Sequence, residues 1–133
     1  MSFPNAKPAG TAPPVTVAGA ALTDALLILV FAAIGRDAHQ RGDVVAGVLL
    51  TAWPFLAGAA AGWLITRAWR HPLSVPKAGI GVWLGSLVVG MLLRAITGQT
   101  VVLPFVIVAL VSLGVLLLGY RLVIFAFRRR KSA

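Results

Sequence analysis

The chain has 133 residues, 59% hydrophobic and only 11% charged, where an ordinary soluble domain carries about 25% charged residues. A water-soluble fold of this composition would leave much of its valine, leucine and alanine in water, so the composition points to an integral membrane protein. There is no cysteine, which excludes disulfides, thiolate nucleophiles and cysteine-held zinc or iron–sulfur centres. Glutamate is absent as well, leaving three aspartates as the only side-chain carboxylates. The net charge of +9 does not mark a nucleic-acid binder, because the basic residues stand at the ends of apolar runs without an interleaved aromatic–basic surface.

In chain order, residues 1–14, "MSFPNAKPAGTAPP", are rich in proline and lack periodicity, and read as a disordered tail. Their basic region is weak and the apolar run that follows is long, so they are expected to be retained rather than cleaved as a signal peptide. Four apolar stretches follow, at about 15–35, 44–66, 78–97 and 101–127, each long enough at roughly 20 residues to cross a hydrocarbon core. Only helices satisfy the backbone in lipid. The expected fold is therefore all-α: an integral membrane bundle of four transmembrane helices over 15–127, closed by a basic tail at 128–133. "TGQT" at 97–100 makes the third and fourth spans a tight hairpin, with Thr100 as an expected N-cap. Pro104 falls in the first turn of the fourth span, where its missing N–H does little harm.

Nine of the twelve lysines and arginines lie on the side shared by both termini and the 67–77 segment; Arg36, Arg41 and Arg94 lie on the other. The positive-inside rule then places both termini in the cytoplasm of a cell in whose plasma membrane the protein sits. Trp63, Trp69 and Tyr120 fall near the inner boundary, where amphipathic aromatics settle. Arg128, Arg129, Arg130 and Lys131 form a cluster suited to anionic lipid headgroups on that side.

Helical rotation gathers small and polar residues into one stripe on each span: Thr16, Ala20, Thr23 and Asp24 on the first, Gly47, Thr51, Pro54, Gly58 and Gly62 on the second. The third carries Gly79, Trp83, Ser86, Gly90, Arg94 and Thr97, and the fourth Ser112 and Gly119. Such stripes bring helices together in lipid by close packing and interhelical hydrogen bonds. Pro54 frees the carbonyl of Leu50 and bends the second span. Asp24 lies about 16 Å below Gly35, near the bilayer midplane, where a carboxylate must be protonated or partnered. Arg94 either snorkels outward or faces the interior. Asp24, Thr51, Ser86 and Arg94 are thus expected to line a polar seam through the outer half of the bundle; a hydrogen-bonded clamp between helices is the other reading of Asp24.

The connector "GRDAHQRGD" raises a metal or acid–base reading of Asp37, His39 and Asp43. Arg36 and Arg41 would repel a divalent cation and suit pairing with the aspartates instead. His71 lies on the opposite side of the membrane from His39 and cannot join it. Neither a metal, a cofactor nor a catalytic residue is expected, and the chain does not read as an enzyme. Arg36, His39 and Arg41 read instead as a basic outer vestibule.

The stretches "ALLILVFAAIGRDAH", "TAWPFLAGAAAGW" and "GMLLRAITGQTVVLPFVIVAL" resemble the domain-of-unknown-function 3054 family of short four-helix membrane proteins. Gly35-Arg36-x-x-His39, Thr51-Ala52-Trp53-Pro54-Phe55 and Met91-Leu92-Leu93-Arg94 carry the resemblance, which covers about residues 20–122. It implies the four-helix architecture and no activity. The residues are read first as a small permeation or transport-type protein working through the polar seam; the alternative is a non-catalytic structural or assembly subunit of a larger membrane complex. The first nearly requires a homo-oligomer, for which the Gly81-xxx-Gly85 ridge is the expected contact. The second needs a membrane-protein partner.

Overall fold

A computed structural model describes residues 12–35, 44–99 and 101–132. Among these, every long element is a helix: α1 (Pro14–Gly35), α2 (Val44–Thr66), α3 (Ile80–Ile96) and α4 (Leu103–Ser132). The segment Val75–Gly79 is a wider π turn that runs directly into α3, with Ser74 as its cap accepting from the Lys77 N–H at 3.2 Å. A short 3-10 turn, Ala68–Arg70, follows α2 through Arg67 in the left-handed conformation.

The four helices coincide with the four apolar runs, and each, with α3 taken together with its π turn as Val75–Ile96, is long and apolar enough to cross a membrane. The expected all-α, four-span architecture is the one observed. α1 packs on α2 and α4, and α3 packs on α2 and α4, which closes the helices into a ring. One end of the bundle holds the start of α1, the 67–79 segment and the end of α4; the other holds the α3–α4 turn. They are called here the terminal end and the hairpin end. Large apolar residues such as Leu22, Ile34, Leu64, Ile96, Val115 and Phe127 cover the outside, while Asp24, Ser86, Arg94 and Arg121 are buried. Apolar outside and polar inside is the arrangement hydrocarbon demands.

The tightest helix pair is α2 with α3. A Cβ added at Gly58 would stand 2.5 Å from the Gly85 carbonyl oxygen, and one at Gly62 would stand 2.6 Å from that of Gly81. Only glycine permits such an approach, and close backbone packing is what holds helices together where lipid removes the hydrophobic drive between them. Gly81 and Gly85, expected as an oligomer contact, are spent inside the molecule because α2 carries the matching pair Gly58 and Gly62.

At the hairpin end α3 stops at Thr97, and Gly98 turns the chain with φ of 80°. The Gln99 N–H bonds to the Arg94 carbonyl at 2.8 Å and that of Gly98 to the Ala95 carbonyl at 3.3 Å, the paired bonds of a Schellman ending. Pro104 lies in the first turn of α4. Thr100 and residues 1–11 lie outside the described residues.

Gly62→Val should therefore lower the stability of the solubilised protein by about 1–3 kcal/mol or more through overpacking, while Gly19→Ala, with nothing within 4 Å of its added Cβ, should change little. Thermal unfolding followed by circular dichroism in one detergent checks the pair; equal midpoints for the two variants would contradict the close approach.

Candidate functional site

Asp24 of α1 is buried, and both of its carboxylate oxygens are engaged. Oδ1 accepts from the Tyr120 hydroxyl at 2.8 Å and from Arg121 Nη1 at 2.9 Å. Oδ2 accepts from the Trp63 indole Nε1 at 2.8 Å and from Arg121 Nη2 at 2.8 Å. Two parallel N–H···O bonds make the pair bidentate, the strong geometry for guanidinium on carboxylate. Arg121 also bonds to backbone: Nε donates to the Pro72 carbonyl at 2.8 Å and Nη1 to the Leu117 carbonyl at 2.9 Å. The guanidinium additionally stands over the Tyr120 ring, 4.8 Å from its centroid. One residue pair thus ties α1, α2, α4 and the 67–79 segment together.

The fit is set by helix direction. Side chains on a helix lean toward its N-terminus. α1 and α4 run in opposite senses, so Asp24 leans toward the terminal end while Arg121 leans away from it. They converge even though their backbone levels, counted along each helix, differ by about 10 Å. With side chains 0% and 3% exposed, Arg121 and Asp24 are screened from lipid and water alike.

The other residues expected in the seam have their own local partners. Ser86 is buried and donates to the Phe55 carbonyl at 3.0 Å, joining α3 to α2. Thr51 donates to Gly47, one turn back on its own helix, at 3.0 Å. Arg94 donates from Nη1 to Gln99 Oε1 at 2.8 Å and lies over the Phe105 ring, 4.5 Å from its centroid. Gln99 in turn donates to the Leu50 carbonyl at 3.4 Å, the carbonyl that Pro54 deprives of its helical partner. Between Arg94 and the Asp24 cluster, Phe31, Phe55 and Phe105 pack edge-on or tilted against one another with centroids 5.2–6.3 Å apart. Arg36, His39 and Arg41, the expected vestibule, lie outside the described residues together with Asp37 and Asp43, as does the side chain of Lys131.

Three members of the Asp24 cluster were not legible as such. Trp63 and Tyr120 read as boundary aromatics, and Arg121 as one more basic residue of the terminal side. One signal was present: Leu113, Leu117 and Arg121 follow each other at four-residue spacing, on what the structure makes the buried face of α4 opposite Asp24.

Two clefts border the cluster. One, of about 410 Å³ between α1 and α2, reaches Asp24 among Ala21, Ala25, Ala59, Ala60 and Trp63. The other, of about 830 Å³, lies at the terminal end against the 70–76 segment and α4.

Removing either partner leaves the other buried and uncompensated, a loss of about 3–5 kcal/mol. Arg121→Leu should destabilise the protein by that order, whereas Asp24→Leu combined with Arg121→Leu should recover much of the loss. Unfolding by denaturing detergent in mixed micelles checks it; a double variant that loses the sum of the single losses would contradict a direct pair.

The family model described as "Protein of unknown function (DUF3054)" matches residues 21–124. No curated protein and no solved structure matches the chain.

Proposed function

The chain belongs to this family of unknown function, and on its geometry we propose that it is a non-catalytic structural or assembly subunit of a larger membrane complex. The observation that carries the proposal is the saturation of Asp24. Its two oxygens take four hydrogen bonds, and its charge is matched by Arg121 of the same chain. A carboxylate serving a permeation path has to exchange a proton or a solute with water, as intramembrane acids of pumps and transporters do. Asp24 instead meets the needs of a lock. The aromatic trio filling the bundle toward the hairpin end supports the same reading.

In this reading the helices form a rigid insert whose apolar outer faces meet lipid and partner helices. The excess of lysine and arginine at the terminal end supports cytoplasmic termini, and the membrane proposed is the plasma membrane. The run Arg128 to Lys131 holds anionic lipid there. Permeation keeps one supporting observation, the cleft of about 410 Å³ that reaches Asp24 between α1 and α2.

Purified protein in liposomes separates the two. The assembly reading expects proton and anion flux no greater than that of empty liposomes, and a cross-linked hetero-complex of fixed stoichiometry in native membranes. Flux above the empty control that Asp24→Asn abolishes, from a protein running as a homo-oligomer, would overturn it.

A further inference from the structure

The larger cleft combines two chemistries. Its walls are apolar, formed by Pro13, Pro72, Val75, Leu122 and Phe125, while Arg70, His71 and Arg128 bring basic and imidazole groups to it. Its volume of about 830 Å³ falls in the ~300–1,000 Å³ range of pockets that enclose a small molecule. It also lies where the spans end: Arg128 belongs to the last turns of the apolar stretch of α4, and Arg70 to the turn that follows α2. In a bilayer that is the level of lipid phosphates and the first methylenes below them.

The cleft is built rather than incidental. The Ala12 N–H bonds to the Trp69 carbonyl at 3.0 Å, pinning the start of α1 across the 67–74 segment. Arg121, locked on Asp24, holds the Pro72 carbonyl from beneath at 2.8 Å. His71, which closes the 3-10 turn, has a buried Nδ1 with no hydrogen-bond partner among the described residues. Buried polar atoms are nearly always satisfied, and an orphan calls for a ligand or water. His71 lines the cleft together with Arg70 and Arg128, and two guanidiniums and an imidazole above an apolar trough suit a phosphate that carries a hydrocarbon chain.

We propose that this cleft is a discrete binding site for one anionic phospholipid, its phosphate taken by Arg70, His71 and Arg128 and its acyl chain lying along Val75, Leu122 and Phe125. The site differs from general attraction to the C-terminal basic run, since Arg129 and Arg130 do not line it. It stands independently of the assembly reading.

The test uses the full chain, delipidated in a neutral detergent, and a fluorescent phosphatidylglycerol. One lipid per chain is expected, with phosphatidylcholine bound at least about tenfold more weakly. Arg70→Ala with Arg128→Ala should weaken phosphatidylglycerol about tenfold. Leu122→Trp, which fills the trough and leaves the charges in place, should also weaken it. Arg129→Ala with Arg130→Ala, which removes only diffuse attraction, should weaken it far less than the cleft variant, and inorganic phosphate at millimolar concentration should fail to displace it. Each variant's helicity and thermal midpoint are compared with the parent so that misfolding is recognised. The proposal is overturned if the tail variant loses as much binding as the cleft variant, if Leu122→Trp binds like the parent, or if free phosphate displaces the lipid.

Discussion

Asp24 and Arg121 meet across 97 residues of sequence, and most of what is particular to this bundle follows from their pairing. An acidic side chain at the centre of a spanning helix costs about 2.5–3.5 kcal/mol on insertion scales, and an arginine about as much. Joined in bidentate geometry, with Tyr120 and Trp63 completing the carboxylate and two backbone carbonyls completing the guanidinium, both groups are satisfied inside the protein. The same bonds fix the rotation of α1 and α4 about their axes. They also seat the 67–79 segment, because its Pro72 carbonyl is one of the acceptors.

The rest of the interior is organised around that fixed point by different forces. α2 and α3 are held by backbone proximity at Gly58, Gly62, Gly81 and Gly85, and Ser86 adds one hydrogen bond across the same seam. Toward the hairpin end Arg94, Gln99 and the Leu50 carbonyl form a second polar group. Three phenylalanines fill the space between the two groups. Each polar residue therefore answers a local need: a broken helix at Pro54, a helix ending at Thr97, a buried acid at Asp24.

Much of the fold was legible in the sequence because the membrane leaves few choices. Helices are the only spans, so runs of about 20 apolar residues gave the elements, and helical rotation put Ala20, Asp24, Pro54, Gly58, Gly62, Ser86, Gly90 and Arg94 on faces that are indeed buried. The carbonyl freed by Pro54 was also readable, though not its donor. The partner of Asp24 was not. An arginine near the end of a span has the same sequence signature whether it snorkels to the boundary or turns inward, and the charge-bias argument had already assigned Arg121 to the boundary. Trp63 and Tyr120 suffered the same ambiguity, since an aromatic with a polar tip suits an interface and a buried acid equally well. The ridge at Gly81 and Gly85 was ambiguous in another way, because small residues show that something packs closely without showing what.

The lock is tested most directly at the Trp63 indole. Its Nε1–H donates to Asp24 inside the cluster, whereas that of Trp83 donates to the Leu110 carbonyl at 3.0 Å, away from it. Indole hydrogen exchange, read by nitrogen-15 NMR of the micelle-bound protein, should find the Trp63 proton strongly protected. Asp24→Ala should release it while leaving Trp83 unchanged. A Trp63 indole that exchanges as fast in the parent protein as in the Asp24→Ala variant would contradict the lock.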